Sequence, residues 1–375
     1  MTYKVISLFS GTGGSSLGYR LAGLKVLLSN EFVEAAWKCY EANFPDTICI
    51  HDDIRNLTGQ GLLDKIGLKK GELDILDGSP PCQSFSTAGK REQKWGCVTK
   101  YSDVEQRCDD LLFEYARILG EIQPKTFAVE NVKGLVMGEA KKVFNQAKEE
   151  FEAKGYNVAI RLLNAKYFQV PQNRPRIIFI GVRKDLGILP SHPKPQHAII
   201  PIKEVLKDVV NTSQDIEDSK YPEHYSVMKY LKQMKPGESG SDYNEKGSYF
   251  GLIRLDWNKP ANTILQSDAK HISCSAIHPV EHRKLTIPEL KRISSFPDDF
   301  KLLGNYKQNW ERIGRAVPPN MMKAIAKHIR YEILDKINNI ENDYNPPYYN
   351  EELEKTGQLG FNFGEEFDKG FKEYK

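Results

Sequence analysis

The chain has 375 residues, 40% of them hydrophobic and 27% charged, with a formal net charge of +3, the profile of an ordinary globular protein with room for one large domain and a smaller one. No apolar run is long enough to span a bilayer, and Met1-Thr2-Tyr3-Lys4 leads straight into a strand-like run, so neither a membrane span nor a signal peptide is read. The six cysteines form no Cys-x-x-Cys pair, which argues against a zinc site or disulfide framework and for a reducing intracellular setting.

In chain order, the run from Lys4 to Phe9 predicts a strand, followed by Ser10-Gly11-Thr12-Gly13-Gly14-Ser15-Ser16-Leu17-Gly18. A strand entering a glycine-rich turn and then a helix brings backbone N–H groups close to a ligand. The spacing is not the Gly-x-Gly-x-x-Gly dinucleotide fingerprint, and no Lys-Ser/Thr pair follows to grip a phosphate. A second strand, Lys25 to Ser29, ends at Asn30-Glu31, and a further acidic turn follows at Asp52-Asp53-Ile54. Acids at these distances suit ribose hydroxyls, and they equally suit plain loop solvation. A nucleoside cofactor without phosphates, such as S-adenosylmethionine, fits the first reading.

The apolar run Leu73-Asp74-Ile75-Leu76-Asp77 leads into Gly78-Ser79-Pro80-Pro81-Cys82-Gln83-Ser84-Phe85-Ser86. Cys82 thus follows a rigid turn at a strand end, where sites on open α/β sheets gather; a nucleophile and a simple tight turn both fit. Asp110 to Leu119 has helical apolar spacing, and Lys125 to Val129 predicts a strand ending at Glu130-Asn131-Val132. In a parallel sheet Cys82 and Glu130 open onto the same edge, although an acid there also suits a cap or solvent.

These residues resemble the cytosine-5 DNA methyltransferase family from about residue 4 to about residue 330, with its motifs in order. The resemblance implies cofactor contacts at Phe9, Ser10, Gly11, Gly13 and Gly14, a ribose carboxylate at Glu31 with Phe32 beside it, and adenine contacts at Asp53 and Ile54. Pro80, Leu111 and Val317 join that cofactor set. Pro80-Pro81-Cys82-Gln83 resembles the nucleophile motif and Glu130-Asn131-Val132 the second catalytic motif. Gln172-Asn173-Arg174-Pro175-Arg176 resembles the Gln-x-Arg-x-Arg strand, and Arg283-x-Leu285-Thr286-x-x-Glu289 through Phe300 a further block. Ile313-Gly314-Arg315-Ala316-Val317-Pro318-Pro319 resembles the last motif, with Arg315 where the family usually has Asn.

The implied fold is α/β: a Rossmann-like S-adenosylmethionine-dependent domain on a mostly parallel sheet (residues 1–183 plus 283–330), an irregular, β-rich target-recognition domain (184–282) and an acidic, aromatic-rich tail (331–375). The implied chemistry is covalent. Carbon 5 of cytosine is a poor nucleophile, and thiolate addition at carbon 6 makes it enamine-like and able to attack a methyl sulfonium. Cys82 supplies the thiolate, aided by the cationic Arg174 and Arg176, and Glu130 meets ring nitrogen 3 and the exocyclic amine. The target base must leave the stack at a cost of roughly a few kcal/mol. Residues 84–109 are read as a loop closing over it, with DNA contacts expected from Gln83, Ser86, Lys90, Arg91 and Arg107, and from Arg254 and Thr263 in the recognition domain.

Charge agrees with a polyanion partner: Tyr331 to Lys375 holds 5 Lys against 11 acids, leaving a basic body. The tail also carries nine aromatics, which suggests that part of it docks on the body or a partner. The expected protein is a cytoplasmic, bacterial or phage-encoded, nucleoid-associated enzyme. It would act as a monomer on double-stranded DNA, use S-adenosylmethionine, release S-adenosylhomocysteine, need no metal, and be paired with a restriction endonuclease. An RNA cytosine-5 methyltransferase and a binding-only relative are the alternatives; retention of Cys82, Glu130 and the glycine turn weighs against the second.

Overall fold

The computed structural model describes residues 2–81, 99–101, 104–106, 110–136, 140–244 and 247–345. Its first half alternates strands and helices: β1 (Lys4–Leu8), α1 (Gly14–Leu21), β2 (Lys25–Asn30), α2 (Glu34–Asn43), β3 (Ile48–Ile50), α3 (Gly59–Lys65) and β4 (Ile75–Gly78). A small antiparallel pair, β5 (Thr99–Tyr101) and β6 (Val104–Gln106), falls within the expected closing loop. Then come α4 (Leu111–Ile122), β7 (Thr126–Val132), α5 (Ala140–Ala153), β8 (Tyr156–Asn164) and β9 (Pro175–Arg183).

Seven strands form one sheet in the order β3-β2-β1-β4-β7-β9-β8. The first five are mutually parallel, and β9 runs antiparallel to both β7 and β8. Strand alternation splits the core between the two faces. Ile6, Leu8, Phe127, Val129, Ile177 and Phe179 pack with residues of α3, α4 and α5 on one face. Val5, Ala128, Ile178 and Ile180 pack on the other with Tyr19 of α1 and with Met321, Ile325 and Ile329. Both faces of the central strands are covered, so β1, β7 and β9 are buried almost throughout.

The ladder between β7 and β9 continues to Val132 opposite Arg176. Glu130 therefore lies within β7, two residues short of its end, because pairing with β9 carries the strand past the apolar run.

Residues 184–345 hold only short helices before the closing segment: α6 (Lys203–Leu206), α7 (Ser213–Ser219), α8 (Met228–Leu231), α9 (Ile287–Ile293), α10 (Tyr306–Arg315) and α11 (Pro319–His328). One apolar cluster runs from Ile202 through Leu252, Ile277, Leu285 and Ile293 to Ile313, so residues 285–313 complete the core of the segment before them. The block from Arg283 to Glu289 has a structural explanation. Thr286 caps α9 in a reciprocal box with Glu289, and Arg283 grips the same carboxylate through two bonds of 2.8 and 2.9 Å.

The helix of α11 runs on through Ile329–Leu334 to Ile337 and packs against the sheet, where Ile333 and Leu334 join the core shared with Tyr3 and Val5. The Tyr3 hydroxyl donates to Asp335, and Tyr331 stacks on Tyr344 at 4.3 Å. Residues 346–375, which carry most of the tail's aromatics, lie outside the described residues. No described helix is long and apolar enough to cross a membrane.

Buried groups shape the acid response, His192, His328 and Asp77 most strongly. Burial pushes the pKa of His192 down to about 3 and of His328 down to about 4, while it pushes that of Asp77 up to about 6. Both histidines are ordinarily half-protonated at 6.5, so the unfolded chain takes up protons that the fold refuses. Their stabilisation is complete above that pH and is lost as pH falls toward 4. Asp77 and Asp268 have the opposite sign, since burial makes the fold hold their protons more tightly, but they are two groups against five histidines shifted down. The urea midpoint is expected to be lower at about pH 5 than at about pH 7.5. His192→Gln should flatten that drop.

Candidate active site

The carboxyl ends of β1, β2 and β4 and the turns after them surround a cavity lined by Phe9, Ser10, Gly11, Thr12, Ser15, Asn30, Glu31, Phe32, Val33, Asp53, Ile54, Ser79, Pro81, Leu111, Arg312, Arg315, Ala316 and Val317. The turn after β1 has unusual backbone. Phe9 is held at φ 54°, a region that non-glycine residues seldom occupy and that clusters at functional sites. Gly13 and Gly14 do not line the cavity; they permit close packing behind it. A Cβ on Gly13 would lie 2.1 Å from the Phe44 ring, and one on Gly14 would lie 2.3 Å from the Val317 carbonyl oxygen.

Glu31 is fixed from both sides. Its Oε2 accepts from Gly11 N–H and its Oε1 from Val33 N–H, each at 2.8 Å. Each oxygen keeps capacity for a further donor, such as a sugar hydroxyl. Asp53 is more occupied: it caps Ile54–Asn56 through Arg55 N–H and pairs with the Arg55 guanidinium at 2.8 Å. Phe9, Phe32, Ile54 and Leu111 supply apolar wall.

Asp77 in β4 is buried and ties the turn to the sheet. Its Oδ2 accepts from the Ser7 and Ser15 hydroxyls at 2.7 Å each, and its Oδ1 from Tyr19 at 3.3 Å. One carboxylate thereby joins β1, β4 and the first turns of α1, and Ser15 itself lines the cavity.

At the neighbouring edge, Glu130 and Arg176 are diagonal neighbours across β7 and β9, on one face of the sheet. Their side chains form an ion pair, Arg176 Nε to Glu130 Oε1, at 2.8 Å, and both are about nine-tenths buried. Burial lowers the Arg176 pKa, and Glu130 works against that shift. The next residue of β7, Asn131, reaches the Pro80 carbonyl at 3.5 Å, a long contact that sets the Pro80-Pro81 turn beside Glu130. Pro81, the residue before Cys82, lines the cavity. A cavity walled by Glu31 and apolar side chains, a strand-end turn that precedes a cysteine in sequence, and a buried carboxylate–guanidinium pair thus lie at one sheet edge.

Residues 3–331 match the family model of the C-5 cytosine-specific DNA methylases. The chain belongs to this family. It is 34% identical to the type II methyltransferase M.PspPI of Psychrobacter sp. over 346 residues, covering 88% of this chain and 79% of that protein. It is 31% identical to the type II methyltransferase M.NgoPII of Neisseria gonorrhoeae over 351 residues, covering 87% and 95%. Among solved structures, EhMeth, a methyltransferase of Entamoeba histolytica, superposes with a TM-score of 0.63 at 17% identity, covering 89% of this chain and 99% of that one. That likeness is one of fold. This methylase is accordingly a DNA cytosine-5 methyltransferase on a mostly parallel α/β sheet, and its family implies S-adenosylmethionine as methyl donor.

Of the expected cofactor residues, Phe9, Ser10, Gly11, Glu31, Phe32, Asp53, Ile54, Leu111 and Val317 line the cavity of the methylase; Pro80 is replaced there by its neighbours Ser79 and Pro81. Cys82, Gln83, Ser86, Lys90, Arg91 and Arg107 lie outside the described residues. Two arginines differ from expectation. Arg174 is fully buried and turned away from the Glu130 pair, donating to the carbonyls of Gly314 at 3.1 Å and Ala316 at 3.0 Å, with a longer bond to Ile264. Burial, then the neighbouring Arg176, pushes its pKa down, and the carbonyls compensate the guanidinium charge.

Arg254 is the second correction. It is 1% exposed and donates to the carbonyls of Leu231, His278, Val280 and Glu281, so it is an internal strut with no side chain left for a phosphate. Arg254→Ala should lower stability by about 3 kcal/mol or more, because several buried acceptors lose their donor. The salt dependence of DNA binding should not change, as no phosphate contact is removed. Thr263 donates to the Asn173 carbonyl at 2.6 Å, joining residues 184–282 to the segment that leads into β9. Thr12, Ser15, Asn30, Val33 and Arg312 were not singled out from sequence, and of these only Arg312 carries charge into the cavity wall.

Proposed function

We propose that this methylase modifies carbon 5 of a flipped-out cytosine within a short duplex DNA site through a covalent adduct with Cys82. The observation that carries the assignment is the Glu130–Arg176 pair on the sheet edge beside the turn that leads to Cys82. Glu130 is placed to meet nitrogen 3 and the exocyclic amine of the base, and Arg176 holds that carboxylate in position. Cys82 adds to carbon 6, carbon 5 accepts the methyl group, loss of the carbon 5 proton to a base restores the double bond, and Cys82 departs. Arg174, bound to the carbonyls of residues 314–316, holds the last motif against the strand.

The cavity residues fit S-adenosylmethionine: Glu31 offers acceptors for ribose hydroxyls, and Phe32, Ile54 and Leu111 offer apolar surface for adenine. Bound there, the cofactor supplies an electrophilic methyl group. Gln83, Ser86, Lys90, Arg91, Arg107 and Thr263 are read as DNA contacts, and residues 184–282, with their core completed by 285–313, as the target-recognition unit of an enzyme built from 1–183 plus 283–330. The enzyme would act as a monomer in the cytoplasm, without a metal, and protect DNA from a companion restriction endonuclease. Transfer of a tritiated methyl group to duplex DNA but not to RNA is the expected result. Transfer to RNA alone would contradict the proposal.

A further inference from the structure

The β3 edge of the sheet brings together three side chains that the reaction does not use. Helix α2 packs alongside β3. Trp37 and Glu41 stand one turn apart in α2, and Cys49 and His51 alternate onto one side of the chain at the end of β3. Where these faces meet, a Glu41 carboxylate oxygen, Cys49 Sγ and a His51 ring nitrogen all lie within 4.8 Å of one another. His51 Nε2 is 2.9 Å from Glu41 Oε1, and the His51 ring stacks on Trp37 with centroids 3.9 Å apart and 12° between the planes. Among the described residues no other group of three histidine, cysteine or acidic side chains comes this close.

A nitrogen, a sulfur and a carboxylate oxygen are ligand types that zinc takes, and three protein ligands leave a fourth tetrahedral position for water. Two neighbours fit such an ion better than a simple surface pair. The stacked Trp37 ring fixes the plane of His51. Ser29 stands opposite Cys49 in the β2–β3 register, and its hydroxyl is fully buried and makes no hydrogen bond among the described residues. Burial pushes the Cys49 pKa up to about 11, and Ser29 opposes that shift. A thiolate at Cys49 would give the Ser29 hydroxyl the acceptor it lacks. Binding a divalent ion releases the thiol proton to solvent, and the thiolate and the Glu41 carboxylate then match the charge of the ion.

We propose that Glu41, Cys49 and His51 form a site for a divalent ion of the zinc type, which fastens α2 to the β3 edge. The residues just beyond it, Asp53 and Ile54, line the cavity. Asn30, also in the cavity wall, donates to the carbonyls of Ile50 at 3.1 Å and Asp52 at 2.8 Å. The ion therefore braces the strand that leads into that wall. It is an accessory strut; the methyl transfer itself makes no use of it, and the proposal stands apart from the choice of cofactor or substrate.

The test is titration of the full chain, reduced and freed of metal by a chelator, with cobalt(II) and then with zinc. Wild-type protein should bind one cobalt ion with the near-ultraviolet absorption of a cobalt–thiolate bond, and zinc should abolish that band. Loss of a group that merely supports a ligand costs about 10- to 100-fold in metal affinity, so Cys49→Ser, which removes a ligand, should weaken cobalt binding at least about a hundredfold and remove the band. Glu41→Gln, a change on the helix surface that the fold should tolerate, should weaken it at least about tenfold and keep the band. Replacing Cys97 and Cys108 by Ala should alter neither. Zinc should raise the Tm of the wild-type chain and not that of Cys49→Ser. An unchanged band in Cys49→Ser would place the ion elsewhere and overturn the proposal. So would an equal rise in Tm for both proteins, or folded wild-type chain that shows no thiolate band at millimolar cobalt.

Discussion

Cys82→Ala is expected to abolish methyl transfer, by at least about 10⁴-fold in single-turnover rate, while duplex DNA binding and S-adenosylmethionine binding persist. The size of the effect follows from the substrate. Without a nucleophile at carbon 6, carbon 5 of cytosine lacks the electron density to attack a methyl group. Gly78, Ser79, Pro80 and Pro81, which precede Cys82 in sequence, are unchanged in this variant. Rapid-quench measurement with tritiated cofactor reads the rate, and gel-shift titration reads binding. Retained turnover would rule out the covalent route.

Glu130→Gln should slow transfer by about 10²- to 10⁴-fold with cofactor affinity nearly unaffected. Gln keeps the volume and one acceptor oxygen for Arg176, so the fold should tolerate it. What it loses is the carboxyl group that the proposed mechanism sets against nitrogen 3 and the exocyclic amine. Glu130→Ala goes further: it leaves the buried Arg176 guanidinium without its 2.8 Å partner and should also cost about 3 kcal/mol of stability. The contrast between the variants separates chemistry from support. A single-turnover rate unchanged in Glu130→Gln would remove Glu130 from the reaction.

Much of the cofactor side was legible in the sequence because its signals are local. Phe9 to Gly14, Glu31 and Asp53-Ile54 each follow a short apolar strand, and parallel topology brings strand ends together whatever the detailed packing. The helix after Pro319 was legible for a similar reason, since its apolar residues recur at helical spacing and needed only a core to join. Glu130 was expected near a strand end by the same logic, and it lies two residues short of the end of β7, while Cys82 falls outside the described residues.

The misread residues are those whose role depends on burial and on distant partners. Arg254 stands in the run Leu252-Ile253-Arg254-Leu255, and its apolar neighbours were the available sign that the cation points inward. Arg174 sits three residues before the apolar run Ile177-Ile178-Phe179-Ile180, yet the carbonyls it binds lie 90 to 142 positions away. Asp77 looked like the polar end of a strand; its partners Ser7, Ser15 and Tyr19 belong to the other end of the domain in sequence. Arg315 was visible as a departure from the last motif, but only the fold shows it sharing Glu311 with two other cations beside the cavity. Helix α5 and strand β8 were not read at all. They cover and extend the antiparallel end of the sheet, away from the motifs that organised the reading.

The most direct test of the central claim is bisulfite sequencing of plasmid DNA from cells expressing this chain, beside cells expressing Cys82→Ala. Cytosines protected in one short sequence context, and only with the intact protein, are the predicted result and would define the target site at the same time. Well-folded protein that leaves every cytosine unprotected would contradict DNA cytosine-5 methylation as the activity of this chain.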